Sequence, residues 1–419
     1  RSFAEPGEYL LILASCHFTT SKQCSTSTTN NSTYRSVLLP DNMRLATWKT
    51  PVAREMLTDM EEGVLHETAK LYASNNLHGE DGFMKRTLSL ALAIGMLFAL
   101  VVPVFSAPAP KVGIVFDIGG RGDQSFNDAA YEGLMMLKKE LGAQTTYIES
   151  KTPSDYEPNL ASLAREGYEV VWGIGFLMAD AMKKVAQQYP NVKFGIIDSG
   201  YSDEEYKSMK NVLGVLFKEH EGSFLQGVLT ALTTKVNKVG FVGGMDFPVI
   251  ERFEAGFKAG VWTINPKIEI FVNYTGAFDD PAKGKAVASS MFRRGADVVF
   301  HASGACGIGV IEAADEVGKW AIGVDSDQNH LSPKHVLNSM IKRVDLGVFN
   351  GTKMLLAPKF VGHTVTLGIA EDGVGLAPEK SNNASKEATA RALEWAEKIR
   401  KGQYVVTEYR AEADKLQSK

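Results

Sequence analysis

Two apolar runs of this chain end in an aspartate that a ligand could use. Asp117 closes Val112-Gly113-Ile114-Val115-Phe116, and Asp325 closes Ala321-Ile322-Gly323-Val324. Asn127 opens the helical segment after the first run, which brings a carboxylate and an amide close in sequence. Such a pair suits the hydroxyls of a sugar, which need acceptors and donors side by side. The same residues also fit a bland role, Asp117 as a loop cap and Asn127 as a helix N-cap. Phe126 sits between Ser125 and Asn127 on a polar turn, where a core ring is less expected, and Phe278 lies on a loop after a later strand. Most phenylalanines pack in cores. Two rings offered from separate halves of a protein could instead sandwich a flat heterocycle, and stacking of a base on a ring contributes about 1–3 kcal/mol.

Other chemistries lack their residues. Gly119-Gly120-Arg121-Gly122 loosely suggests a dinucleotide loop, but the spacing is not G-x-G-x-x-G. Glu149 also comes later than the usual acidic position about 20 residues on. His220, His301, His330 and His335 show no metal-binding spacing. Neither a Gly-x-Ser-x-Gly elbow nor a Gly-Lys-Ser/Thr phosphate loop occurs. The chain reads as a binder with no cofactor, no metal and no catalytic constellation. A formal net charge of −4 argues against a nucleic-acid partner, which calls for a basic stripe.

The elements that position these residues begin late in the chain. Met84-Lys85-Arg86 precedes an apolar run from Thr87 to Val102, and small residues follow from Pro103 to Ala109. Basic start, apolar core and small-residue exit make residues 84–106 a secretory signal peptide cut before Ala107. The apolar run is shorter than the roughly 20 residues that span a bilayer. Residues 1–83 include a Ser/Thr/Asn tract that cannot bury a core, and they read as a disordered or non-native upstream segment. Of Cys16, Cys24 and Cys306, only the last belongs to the exported part, where it reads as a small buried hydrophobe.

From Lys111 onward, short β-branched runs alternate with amphipathic segments, the rhythm of βαβ units and a parallel sheet. Strands are expected at 112–116, 145–148, 170–172, 194–197 and 212–215. The rhythm restarts at 239–244 and continues at 268–272, 298–301 and 321–324. Helices fill 125–140, 178–188, 222–234, 249–260, 282–294, 309–317, 344–356 and 386–401. Two such series predict an α/β protein of two doubly wound lobes. The first lobe is set at 107–236 with part of 326–358, the second at 237–325 with about 359–380, and a C-terminal helical segment at 381–419.

Several blocks resemble the basic membrane protein family of substrate-binding proteins, which includes purine nucleoside receptors of ABC transporters. They are Asp117-Ile118-Gly119-Gly120-Arg121-Gly122-Asp123-Gln124-Ser125-Phe126-Asn127, Gly173-Ile174-Gly175-Phe176, Gly243-Gly244-Met245, Tyr274-Thr275-Gly276-Ala277-Phe278-Asp279-Asp280-Pro281, Gly323-Val324-Asp325-Ser326-Asp327-Gln328 and Ser339-Met340-Ile341-Lys342-Arg343. The resemblance runs from Lys111 to about Pro378 and implies a type I periplasmic-binding-protein fold with three crossovers and a central cleft. It implies a purine nucleoside between Phe126 and Phe278, handed to permease subunits of an ABC uptake system. It also implies that Asp180 faces the base and that Asp325 and Lys342 hold the ribose. Asp180 fits equally a first-turn carboxylate favoured by the helix dipole, Lys342 a solvated helix charge, and Asp327 stays a neighbouring candidate. A riboflavin-like heterocycle or a nucleobase would use the same rings, and a sensory binding module would share the fold. No cysteine stands at the cleavage region, unlike in many binding proteins, so a free periplasmic protein is expected.

Overall fold

The computed structural model describes residues 26–28, 33–35 and 109–417. Upstream, β1 (Thr26–Thr28) pairs antiparallel with β2 (Thr33–Arg35), so six residues of the segment 1–83 are strand. The expected signal segment 84–106 lies outside the described residues.

Val112, Ile114, Val115 and Phe116 are fully buried in β3 (Lys111–Phe116), which suits a strand covered by helices on both faces. Its neighbours are β4 (Gln144–Glu149) and β5 (Val170–Ile174), followed by β6 (Lys193–Ile197), β7 (Val212–Phe217) and β13 (His363–Leu367). The order is β4-β3-β5-β6-β7-β13, every pair parallel. The second sheet repeats the plan with β8 (Lys238–Gly243), β9 (Glu269–Tyr274), β10 (Val298–Ala302), β11 (Trp320–Asp325) and β12 (Val336–Lys342). Its order is β9-β8-β10-β11-β12-β14, and only β14 (Val374–Leu376) runs antiparallel. These are the two expected doubly wound lobes.

The helices are α1 (Phe126–Leu141), α2 (Tyr156–Arg165), α3 (Ala179–Gln188), α4 (Asp203–Ser208), α5 (Glu219–Thr233), α6 (Pro248–Ile264), α7 (Pro281–Arg293), α8 (Cys306–Val317), α9 (Val344–Leu355), α10 (Lys386–Arg400) and the short α11 (Arg410–Ala413). The chain passes between the sheets at Lys218, at Arg343 and over residues 368–373. These crossings hold one another, since Lys218 N–H donates to the Leu367 carbonyl and Arg343 N–H to that of Gly373.

Lobe membership differs from expectation in three places. Helix α5, expected with the first lobe, packs on α6, β12 and β14 of the second. Strand β12 joins the second sheet, and β13 joins the first. Each crossing segment is too short to carry a composition change of its own, so partner surfaces decide the side.

Helices α5 and α6 approach closely at glycines. A Cβ at Gly260 would run into the Phe224 carbonyl oxygen, and one at Gly256 into that of His220. Gly260→Ala is therefore expected to destabilise the fold by about 1–3 kcal/mol, because backbone must move apart. Urea unfolding reads it, and an unchanged midpoint would show that the helices separate freely.

Candidate ligand-binding cleft

Doubly wound sheets collect ligands at the carboxyl ends of their strands, where the order switches direction. Both sheets point those ends at one cleft of about 540 Å³, part of it open to solvent. Its lining includes Asp117, Phe126 and Asn127 from the first lobe, and Phe278, Asp325 and Lys342 from the second.

On the first wall, Asp123 carries the helix-capping role. Its carboxylate accepts from the backbone N–H groups of Ser125, Asn127 and Asp128 at 2.8–3.1 Å. The Asn127 side chain is thereby free to donate to Asp117 Oδ1 at 2.9 Å, and its own Oδ1 is buried without a partner among the described residues. Asp117 also accepts from Gly119 N–H at 3.0 Å. Burial pushes the Asp117 carboxyl up to about 6, against the pull of these two bonds. Gly175, at φ +110°, must be glycine, because a Cβ would stand 2.9 Å from Asp117 Oδ2.

The floor is a buried charge network. Lys342 Nζ lies 2.6 Å from Asp198 Oδ2 and 3.1 Å from Glu219 Oε1, and Arg252 Nε lies 2.7 Å from Glu219 Oε2. Lys342 is only 2% exposed and ends β12, so it is not a solvated helix charge. Removal from water works against its charge, but the three surrounding carboxylates Asp198, Glu219 and Asp325 outweigh that and hold it protonated. Phe126 and Phe253 cover it, with ring centroids 5.1 and 5.4 Å from Nζ. Asp198 Oδ1 has no hydrogen-bond partner among the described residues. Two cations thus balance Asp198 and Glu219, and among the described residues no basic side chain is bonded to Asp117 or Asp325. The space therefore favours a ligand that donates hydrogen bonds and carries no negative charge.

Rings meet across the opening. Phe176 follows β5, and its centroid lies 5.1 Å from Phe247 and 6.4 Å from Phe278, both of the second lobe. Phe278 lies flush on Gly244, where any side chain would collide with its ring. Asp325 Oδ2 accepts from Ser125 Oγ at 2.5 Å, again between lobes. The lobes are closed on each other.

Residues 110–408 match the family model described as ABC transporter substrate-binding protein PnrA-like. The chain belongs to that family. Its members bind solutes and do not transform them, so a small-molecule ligand and transporter partners follow. The chain is 40% identical over 359 residues to a Listeria monocytogenes protein named CD4+ T-cell-stimulating antigen, covering 77% of this chain and 99% of that one. It is 38% identical over 304 residues to the Lactococcus lactis ABC transporter nucleoside-binding protein BmpA, covering 67% and 85%. A solved ABC transporter solute-binding protein of Aeropyrum pernix superposes with a TM-score of 0.67 at 29% identity, covering 74% and 98%.

Six of the seven expected site residues of this substrate-binding protein line the cleft. Asp180 does not: it is exposed in the first turn of α3 and absent from the lining. A 3₁₀ turn over Phe176–Met178 delays the helix, so Phe176 reaches the cleft and Asp180 falls beyond it. Lys342, expected to hold the ribose with Asp325, bonds Asp198, because β6 and β12 end facing each other across the lobes. Asp198 and Phe253 were not expected. Asp198 had a signal, since Phe194-Gly195-Ile196-Ile197 is an apolar run ended by aspartate like the two others. Asp198 and Asp325 share a further mark, φ of +63°. Left-handed backbone is uncommon outside glycine and clusters at functional sites. Phe253 sits on α6 among core residues and carries no such signal.

Proposed function

We propose that this protein is the receptor of an ABC uptake transporter for a purine nucleoside, held between the two lobes. The observation that carries the reading is the pair of orphan acceptors, Asn127 Oδ1 and Asp198 Oδ1, in a cleft that also offers the Asp117 and Asp325 carboxylates. A nucleoside supplies what they lack: ribose hydroxyls and base N–H groups donate, and no phosphate brings charge. Phe126 and Phe278 stand on opposite lobes, as stacking on both faces of a base requires. The nucleoside-binding name of the Lactococcus lactis relative supports the same class. In this reading the basic, apolar and small-residue order of 84–106 serves export, so that the receptor meets its permease outside the cytoplasm.

Calorimetry with inosine, guanosine, adenosine, their free bases and the 5′-monophosphates tests the proposal. Nucleosides are expected to bind best and monophosphates worst, because a phosphate would enter an acidic cleft. Phe278→Ala and Phe126→Ala are each expected to weaken nucleoside binding by about tenfold or more, the loss of one stacking face. Monophosphates binding as tightly as nucleosides would sink the reading, as would full affinity in both ring variants.

A further inference from the structure

Gln328 follows β11 in the second lobe and is fully buried, yet its side chain crosses to the first lobe. Its Oε1 accepts from Val324 N–H at 2.9 Å and lies 2.9 Å from His301 Nε2. Burial holds His301 well below the usual histidine range, at about 4, so the ring is neutral. A neutral ring facing an amide oxygen donates from Nε2, which fixes the tautomer. With its oxygen held by two donors of its own lobe, the Gln328 amide can point only its NH₂ outward. That group donates to the Gln124 carbonyl of the first lobe at 3.0 Å.

The receiving side is shaped to match. Gln124 adopts φ +55°, a left-handed conformation, and its N–H is fixed by Asp128 Oδ2 at 3.0 Å. Its side-chain Oε1 lies 3.1 Å from Nε2 of the exposed His330, the outer contact of the same seam. The next residues, Ser125 and Phe126, start the helix whose first turn lines the cleft. At the other end, His301 Nδ1 lies 3.5 Å from Oγ of Ser303, which also lines the cleft.

We infer that Gln328 is the closure latch of this protein: an amide pre-oriented by His301 and Val324 that engages the Gln124 carbonyl only when the lobes meet. Apparent affinity depends on the fraction of molecules in the closed state. Gln328 therefore sets how long a ligand stays without touching it. The inference concerns closure and holds whichever solute fills the cleft.

Gln328→Glu keeps the size and the oxygen that serves Val324 and His301, but turns an acceptor toward the Gln124 carbonyl. Nitroxide labels at Lys151, exposed after β4 of the first lobe, and Lys283, exposed in the first turn of α7 of the second, report the lobe separation by pulsed EPR. In ligand-free protein the variant is expected to lose the short-distance population in favour of the long one. Inosine dissociation is expected to speed up about tenfold, with association little changed. Gln328→Met repeats the comparison should the glutamate variant fail to fold. Distances and dissociation rates that match wild type in the folded variant overturn the latch. Should none of inosine, guanosine and adenosine bind wild-type protein, the nucleoside reading fails, and the distance comparison decides the latch by itself.

Discussion

Replacing Lys342 by methionine is expected to cost about 3–5 kcal/mol of stability, the toll of leaving buried carboxylates without their cation. Its ammonium is shared by Asp198 and Glu219 where almost no water reaches any of the three. Glu219 keeps Arg252, so Asp198 bears most of the damage. The companion experiment is Lys342→Met with Asp198→Leu. Removing both ends of a buried pair is often neutral, so the double variant should recover most of the lost stability. It should still fail to bind nucleoside, since the orphan acceptor goes with Asp198. Urea unfolding and calorimetry read the two effects separately. A single variant as stable as wild type would mean that water or a rearrangement already serves Asp198.

The second large effect is a pH dependence in which stability and affinity move in opposite directions. Burial raises Asp117 to about 6 from the ordinary 3.8, and raises Asp325 as well. Between pH 4 and 6 the folded protein then binds more protons than the unfolded chain at Asp117. The stability tied to Asp117 is full below about 4 and is lost as pH rises through about 6. Ligand-free protein is thus expected to gain stability from this group as pH falls from 7.5 to 5. Nucleoside affinity should fall over the same range, because a protonated carboxyl is a poorer acceptor for ligand hydroxyls. One unit below 6 leaves about a tenth of Asp117 ionised, so affinity at pH 5 should be about tenfold lower than at pH 7.5. Thermal unfolding of free protein beside inosine titrations at each pH checks both signs. Affinity that rose together with stability would take Asp117 out of ligand binding.

Strand ends were legible because a parallel strand covered on both faces must be apolar throughout, so a terminal aspartate stands out against it. That pattern marks Asp117 and Asp325, and the same pattern was available for Asp198. Strand β12 was opaque for the complementary reason. Val336-Leu337-Asn338-Ser339-Met340-Ile341-Lys342 mixes polar residues into a strand that is almost wholly buried. Three of these polar groups find their partners outside the strand: Asn338 Oδ1 accepts from Gln226, Ser339 Oγ from Gln328 N–H, and Lys342 donates to Asp198. No local rule could promise those partners.

What the sequence alone determined is what short-range physics controls: the alternation of buried strands and amphipathic helices, the two lobes, and the strand ends where ligand groups stand. The lobe to which α5, β12 and β13 belong was decided by tertiary structure, because a crossing of one or a few residues carries no preference for either sheet. Closure decided the rest of the site. It placed Lys342 against Asp198, aimed Gln328 at Gln124 and brought Phe176 against Phe278, while a single 3₁₀ turn left Asp180 outside. These contacts join residues 100 or more apart in the chain, and only the meeting of the two lobes makes them neighbours.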